Sequence, residues 1–123
     1  MPGTTTARQL AGYERRYRSL AAQLATELAT IGLIHSGSVI QRYTYCGRPS
    51  CRCHGDPPEP HGPYWQWSAK AKGKTVSRRL SRAEAELYQE WIANDRRLND
   101  LIGQMRQVAA KAAQLRLEQA AGT

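Results

Sequence analysis

The sequence predicts an α+β fold with an N-terminal helix, a zinc-stapled three-stranded antiparallel β-sheet and a long C-terminal helix. Apolar residues recur every three or four positions towards both ends of the chain, whereas the middle is rich in β-branched and aromatic residues. Three cysteines lie close together in a proline-rich loop. These observations divide one integrated domain into segments 1–37, 38–80 and 81–123, with the two helices forming a helical hairpin or a coiled coil.

The first helix is predicted over residues 6–31, where one face is apolar. Its apolar positions are Leu10, Tyr13, Tyr17, Leu20, Leu24, Leu28 and Ile31. Thr6 and Gln9 resemble a capping box, in which two side chains satisfy the free backbone N–H groups at a helix start. Gly32 suits the position just beyond the last turn, because glycine tolerates the left-handed conformation often found there.

Three strands are predicted at residues 39–45, 64–69 and 75–80, and the stretch 70–74 is predicted as the turn between the last two. Residues 75–80 alternate in the way expected of a half-exposed strand. The loop 46–63 contains five of the chain's six prolines, so regular secondary structure can order little of it. Another constraint is therefore expected to order this loop.

The second helix is predicted from a capping box at Ser81 and Glu84 to about Ala120. Its heptad seam consists of Leu87, Trp91, Asn94, Leu98, Leu101, Met105, Val108, Ala112 and Leu115. Such a helix is about 60 Å long at about 1.5 Å per residue, which is more than the first helix can cover. The uncovered part could meet a second copy of the chain, giving a homodimer, or a helical protein partner, or it could be exposed to water. Asn94 either sets the register of the seam or lies at its edge.

The aromatic residues of the second strand have two interpretations. Trp65 and Trp67 project to one face and are expected to pack in the core against Leu87 and Trp91. Together with Tyr64 they could instead stack on unpaired bases, as in proteins that bind single strands. Core packing is favoured, because such residues more often form the centre of a small sheet.

The positive charge of the chain is concentrated in the sheet segment. The net charge is +8 and the pI is about 9.9, which is typical of proteins that bind polyanions. Residues 1–40 carry four Arg and two Glu, residues 41–83 carry nine Lys or Arg and two acids, and residues 84–123 carry five bases and six acids. The three segments therefore contribute +2, +7 and −1.

Nine basic residues of the sheet segment are the candidate nucleic-acid-binding residues. They are Arg42, Arg48, Arg52, Lys70, Lys72, Lys74, Arg78, Arg79 and Arg82. A β-ribbon that carries such residues on one face can enter the major groove of duplex DNA. The alternative is that the lysines are solvated and protect the sheet edge from pairing.

The spacing Cys46-x4-Cys51-x-Cys53-x7-His61 predicts a site for one structural Zn²⁺, since three thiolates and an imidazole are a usual tetrahedral ligand set. An odd number of cysteines fits a metal site in a reducing compartment better than it fits a disulfide framework. His61 lies where the chain enters the second strand, so a metal there would join two strand ends. It is favoured over the alternative fourth ligand His54, because His54 directly follows Cys53 and adjacent side chains reach one ion less easily.

Two further interpretations of the cysteines remain open. They could be free thiols that pack as small apolar groups, or one could form a nucleophilic pair with a histidine. A nucleophilic pair normally needs an orienting third group and a pocket, and the sequence indicates neither. His35 is remote from the cysteines in sequence and is expected to be an ordinary loop residue.

The stretch RYTYCGRPSCRCHGDPPEPHGPYWQW resembles a family of small bacterial and archaeal proteins catalogued as a domain of unknown function. The family signature is R-Y-x-x-C-G-[KR]-P-x-C-x-C, a short loop, and then H-G-P-Y and aromatic residues. The resemblance covers about residues 37–91 and implies that Cys46, Cys51, Cys53 and His61 occupy the signature positions. The loop is longer and richer in proline here than in the family pattern. Members are similar to genes carried by mobile elements, which implies such an association here.

These features together predict a small zinc-stabilised protein that binds nucleic acid, with duplex DNA as the expected partner, and acts as an accessory or regulatory factor. The alternative is a protein–protein adaptor that uses the long helix and the zinc module. No enzyme activity is expected, since the sequence has no glycine-rich phosphate loop, paired carboxylates or open metal site. No signal peptide or spanning apolar run is evident, so a cytoplasmic location without a membrane partner is expected.

Overall fold

The computed structural model describes the backbone of residues 2–122 and the side chains of residues 5–122. In chain order the elements are helix α1 (Pro2–Thr30), strand β1 (Ser38–Thr44), a 3₁₀ turn (Arg52–His54), strand β2 (His61–Ala71), strand β3 (Lys74–Leu80) and helix α2 (Arg82–Ala121). The predicted fold class is confirmed, because two helices flank a three-stranded antiparallel sheet. All three predicted strands are present, and β2 begins at His61, earlier than predicted.

The described residues form two compact units, and α2 contributes to both. The helical unit joins the residues through Gly32 with those from Asn94 onward, and the sheet unit comprises residues Leu33–Ala93. All nine candidate nucleic-acid-binding residues and the whole cysteine cluster belong to the sheet unit. Among the described residues, no helix combines the length and apolar character needed to cross a bilayer.

In the helical unit, α1 and α2 pack as an antiparallel hairpin. Arg97 Nε donates to Glu27 Oε1 at 2.8 Å, and Arg116 Nη2 donates to Glu14 Oε1 at 2.9 Å. The buried leucines of this unit are Leu10, Leu20, Leu98 and Leu101. Burial of a leucine side chain contributes about 2 kcal/mol, so these residues outweigh the exposed ion pairs in holding the helices together.

The start of α1 differs from the prediction, whereas its end agrees with it. The helix begins at Pro2, so Thr6 lies inside it and the predicted capping box at Thr6 is wrong. Proline is well suited to the first helical turn, because the N–H group that it lacks has no partner within the helix there. Gly32 has φ +89° beyond the last turn, and Asn94 Nδ2 donates to the carbonyl oxygen of Ile31 at 2.9 Å.

The start of α2 confirms the predicted capping box. The Ser81 N–H donates to Glu84 Oε1 at 3.0 Å, and the Glu84 N–H donates to Ser81 Oγ at 3.1 Å. Each side chain therefore satisfies a backbone donor that has no partner within the helix. Further along α2, the contacts with α1 support the predicted hairpin, and the described part of the chain gives no support for a coiled coil.

The sheet has the order β1-β2-β3, and both pairs of neighbours are antiparallel. Gln66 lies between Ile40 and Arg79, and Trp67 is paired with Arg78. Because paired residues project to the same face, Arg78 and Arg79 lie on opposite faces of the sheet. The face that includes Arg79 is called the basic face, and it comprises Ser38, Ile40, Arg42, Tyr64, Gln66, Ser68, Lys70, Thr75, Ser77 and Arg79.

The first turns of α2 pack on the opposite face of the sheet. The ring centroids of Trp67 and Tyr88 are 5.6 Å apart, and Arg78 Nη2 lies 3.2 Å from Glu84 Oε2. Leu80, at the end of β3, is buried on this side. The helix therefore covers the face that carries Trp67 and Arg78.

Candidate metal centre and nucleic-acid interface

Four side chains from the ends of three elements meet at one point. Cys46 lies two residues after the end of β1. Cys51 immediately precedes the 3₁₀ turn, and Cys53 lies within it. His61 is the first residue of β2. Their ligand atoms all lie within 4.8 Å of one another, so a single metal ion could contact all four. The structure thus brings together the ligand set that the sequence spacing indicates, with His61 as the histidine.

A bulge in the sheet directs His61 towards the cysteines. Arg42 is paired with Tyr64, but Thr44 is paired with His61, so two residues of β2 oppose one residue of β1. Gly62 lies in this bulge with φ +127°, and a Cβ there would come within 2.8 Å of the Arg42 carbonyl oxygen. The extra residue places His61 on the same side as Thr44, close to the chain that leads into Cys46.

The donor atoms are already in contact as pairs. The sulfurs of Cys46 and Cys53 are 3.6 Å apart, and Cys51 Sγ is 3.3 Å from His61 Nε2. The Cys46 N–H also donates to Cys53 Sγ at 3.3 Å. Since a backbone N–H that faces a sulfur stabilises the thiolate, this contact favours the form that binds metal.

Short backbone hydrogen bonds order the loop that carries the cysteines. The Cys51 N–H donates to the Arg48 carbonyl at 3.1 Å, and the His54 N–H donates to the Cys51 carbonyl at 3.0 Å. The Arg52 carbonyl accepts from the N–H groups of both Gly55 and Glu59 at 3.0 Å. Local turns therefore place Cys51 and Cys53 on one side, although the prolines prevent longer regular structure.

The thiols of the cluster have different electrostatic environments. The backbone N–H of Cys53, followed by the thiols of Cys46 and Cys53, lowers the pKa of Cys51 from its usual 9.0 to about 6. Burial raises the pKa of Cys53, whose residue is only 1% exposed. A thiolate is thus favoured at Cys51 before a metal binds, whereas Cys53 needs a cation to compensate for its burial.

His54 lies beside the cluster but does not belong to its set of four ligands. Its Nε2 atom forms a hydrogen bond with the carbonyl oxygen of Cys46, and its ring lies 6.1 Å from that of Tyr45. The geometry therefore distinguishes between His61 and His54, the two candidates for the fourth ligand. His61 faces the cysteine sulfurs, whereas His54 supports the backbone next to a ligand, as outer residues of metal sites often do.

The structure divides the nine candidate nucleic-acid-binding residues into two groups. Three form exposed ion pairs: Arg52 with Glu59, Arg78 with Glu84, and Arg82 with Glu86. Six form no ion pair with any carboxylate whose side chain is described, and these are Arg42, Arg48, Lys70, Lys72, Lys74 and Arg79. Arg42, Lys70 and Arg79 share the basic face, and Lys72 lies in the hairpin turn, whereas Lys74, paired with Ala71, projects to the opposite face.

Two guanidinium groups of the basic face are held by side chains of the central strand. The guanidinium carbon of Arg79 lies 3.6 Å from the centre of the Tyr64 ring, and Arg42 Nη1 donates to Gln66 Oε1 at 3.1 Å. Arg42 comes from β1 and Arg79 from β3, so the two guanidinium groups converge across β2. The groove between them has a volume of about 220 Å³ and is lined by Arg42, Thr44, Tyr64, Trp65, Gln66 and Arg79.

Tyr64 and Gln66 have a positioning role that the sequence pattern does not indicate. The pattern predicts only core packing or base stacking for Tyr64, and it does not single out Gln66. Their contacts with Arg79 and Arg42 are diagonal pairs across neighbouring strands, which depend on the register. The alternation of β2 is visible in the sequence, but the register is not.

The aromatic residues of the sheet unit form a cluster that includes His35. The ring of Trp67 lies 5.2 Å from that of His35, and Tyr88 lies 5.2 Å from Trp91. The core interpretation of Trp67 is supported, but Leu87 is 48% exposed and its predicted place in this core is wrong. His35 lies in the loop between α1 and β1, as predicted, and is half-buried there against the rings of Trp67 and Tyr88.

Comparison with known protein families identifies the family to which this chain belongs. Residues 10–89 match the family model described as a domain of unknown function (DUF6788). The chain belongs to this family. The part that matches DUF6788 includes the cysteine–histidine cluster and all three strands. Comparisons with curated proteins and with solved structures found no match.

Proposed function

We propose that this member of the DUF6788 family is a zinc-stabilised DNA-binding protein that acts as an accessory or regulatory factor, in association with a mobile element. Its basic face binds the phosphates of duplex DNA, and one structural Zn²⁺ holds the sheet and the cysteine loop together. The observation that carries the proposal is the convergence of Arg42 and Arg79 on one face, where neither pairs with a described carboxylate.

The donor set and its spacing fit Zn²⁺. Tetrahedral zinc with Zn–S bonds of about 2.3 Å separates two sulfurs by about 3.8 Å, and a sulfur from an imidazole nitrogen by about 3.5 Å. Two of the six ligand-atom pairs match these values, with 3.6 Å between Cys46 and Cys53 and 3.3 Å between Cys51 and His61, and all four atoms lie within 4.8 Å of one another. Because protein ligands would fill all four positions, the ion would contribute folding free energy and leave no open position for substrate.

The positioned arginines favour a phosphate ligand. A guanidinium group offers a planar array of donors that matches two phosphate oxygens, and prior positioning reduces the entropy lost on binding. Tyr64 and Gln66 supply that positioning for Arg79 and Arg42. Lys70 on the same face extends the positive charge towards the hairpin turn.

The aromatic contacts favour duplex over single-stranded nucleic acid. Single-strand binding relies on rings that are free to stack on bases. The ring of Tyr64 is covered on one side by Arg79, and the ring of Trp67 is engaged by His35 and Tyr88. The basic face therefore offers guanidinium and ammonium groups rather than a stacking platform.

The test compares two neighbouring arginines on opposite faces of β3. Fluorescence anisotropy would measure binding of the zinc-loaded protein to a labelled duplex between about 50 and 200 mM salt. We expect Arg79→Gln to weaken binding and to reduce the slope of log K against log salt by about 0.9, because one phosphate contact is lost. The matched control is Arg78→Gln, which removes the same charge from the side covered by α2 and should leave the slope nearly unchanged.

Three outcomes would contradict parts of this proposal. Equal effects of both variants would mean that net charge, and not the basic face, determines binding. Tighter binding to a single strand than to the duplex would favour base stacking. No affinity for any nucleic acid at low salt, with zinc content and circular dichroism intact, would leave the protein–protein adaptor as the better explanation.

A further inference from the structure

The charges of the helical unit are unevenly distributed along its two helices. The net charges of the three sequence segments do not show this unevenness. On α2, residues 94–102 carry two bases and two acids, whereas residues 103–122 carry three bases and one acid. On α1, residues 2–20 carry four arginines and one glutamate, whereas the only ionisable acid or base in residues 21–32 is Glu27. The excess positive charge thus lies in the first part of α1 and the last part of α2.

The antiparallel hairpin brings these two basic stretches together. Arg116 Nη2 lies 2.9 Å from Glu14 Oε1, and Lys111 Nζ lies 5.8 Å from the centre of the Tyr13 ring. Residues 2–20 and 103–122 therefore form one end of the hairpin, which we call the distal half, with a formal charge of +5. The other half of the helical unit, residues 21–32 and 94–102, has a formal charge of −1.

Three arginines of the distal half form a row along α1. Arg8, Arg15 and Arg18 are separated by seven and three residues, so they lie on the same side of the helix over about 15 Å. All three are exposed, and α1 buries its opposite side through Leu10 and Leu20. Among the described side chains, no carboxylate forms an ion pair with this row.

Arg106 of α2 adds another exposed arginine to the distal half. It is exposed and forms no ion pair with a described carboxylate. Arg116, in contrast, is already paired with Glu14. Arg16 is also exposed and forms no ion pair with a described carboxylate, but it projects away from the row. Arg8, Arg15, Arg18 and Arg106 are called the distal arginines.

We propose that the distal arginines form a second surface that binds the phosphate backbone of duplex DNA, separate from the basic face. The identity of the ligand rests on the proposed function, whereas the surface itself rests on the charge distribution of the hairpin. Arginines that release counterions from phosphates provide affinity without base specificity. Each unit then carries its own DNA-binding surface.

The surroundings of the row favour a nucleic acid over other polyanions. A helix that binds a membrane surface inserts its apolar face, but Leu10 and Leu20 are already buried against α2. A protein interface needs apolar anchors at its centre, whereas the row is flanked on the same side by the small residues Ala11 and Ala22. The row itself thus carries charge without a large apolar side chain, and the apolar groove formed by Tyr17 and alanines of α2 meets it only at Arg18.

The test is a variant in which all four distal arginines are changed to Gln, which preserves helix propensity. In the same duplex-binding assay, we expect the salt slope to fall by about 3 to 4 and the affinity near 0.1 M salt to fall roughly tenfold or more. Circular dichroism and zinc content should match the unmodified protein. The matched single-charge control is Arg96→Gln in the other half of the hairpin, which should change binding much less than Arg18→Gln.

Comparison with a variant of the basic face, Arg42→Gln with Arg79→Gln, separates the two proposals. Loss of affinity in both variants supports both surfaces. Loss in the basic-face variant alone overturns the distal surface and leaves the proposed function intact. Loss in the distal variant alone keeps the second surface and overturns the role of the basic face. Binding to vesicles that contain phosphatidylserine, without binding to DNA, would overturn both.

Discussion

His61 illustrates how one irregularity in a strand determines which side chain reaches the candidate metal site. Without the bulge opposite Tyr43, strand alternation would direct His61 to the side of the sheet covered by α2. The bulge also requires a glycine, since Gly62 has a positive φ and a Cβ there would approach the Arg42 carbonyl oxygen too closely. The fourth ligand thus depends on a backbone feature that residue spacing does not reveal.

Separate replacement of the two loop histidines by Gln tests the assignment of His61 as the fourth metal ligand. We expect His61→Gln to lower zinc affinity by at least about tenfold, because it removes a ligand. The matched variant His54→Gln removes only a hydrogen bond to the Cys46 carbonyl and should retain close to one zinc per chain. Competition with a chromophoric chelator measures both affinities. Retention of zinc by His61→Gln together with its loss from His54→Gln would reverse the assignment.

At the scale of single elements, the start of α2 depends on the ionisation of Glu84. The backbone N–H of Ser81, followed by its hydroxyl group and then by Arg78, lowers the pKa of Glu84 below its ordinary value of 4.5. A lowered pKa in the folded state means that the carboxylate stabilises the helix start above about pH 4.5. This contribution is lost as the pH falls through the pKa of the folded state.

Changes at Ser81 test this capping box. We expect Ser81→Ala to reduce the free energy of unfolding by about 1 kcal/mol, and Ser81→Asp, which can still cap the helix, to reduce it much less. Denaturation at pH 7 measures both effects. In an NMR titration, the midpoint of the Glu84 carboxyl should lie below 4.5 and should rise in Ser81→Ala. An unchanged midpoint would show that the Ser81 hydroxyl does not contribute.

At the scale of the whole molecule, the two units depend on different forces. The helical unit contains four of the buried leucines, whereas the sheet unit is a small sheet with a proline-rich loop and four converging candidate metal ligands. A sheet of this size has little apolar area to bury, so a metal would supply a large part of its stability.

Removal of the metal should therefore affect the two units differently. We expect a zinc chelator to increase amide hydrogen exchange mainly in residues Leu33–Ala93, with much less change at the buried leucines of the hairpin. Hydrogen-exchange mass spectrometry measures this, and addition of Zn²⁺ should restore protection. Uniform exchange after chelation would mean that the units unfold together, and no change at all would contradict a structural role for the metal.

Patterns within short stretches of the chain were enough to predict much of this fold. Apolar periodicity predicts α1 and α2, β-branched and aromatic composition predicts β1 and β2, and alternation predicts β3. The Ser81–Glu84 spacing predicts a cap that is present. The spacing of the cysteines likewise indicates the ligand set, because these features depend on residues that are near one another in sequence. The error at Thr6 shows the limit of a local motif, since Pro2 allows the helix to begin earlier.

Contacts between distant parts of the chain decide the remaining features. The register places Arg78 and Arg79 on opposite faces, the bulge selects His61 over His54, and the antiparallel hairpin unites the basic stretches of α1 and α2. Each feature depends on how two segments align, and a shift of one residue would reverse the faces of a strand. Sequence spacing cannot specify that alignment, because it is set by packing among side chains that are far apart in the chain.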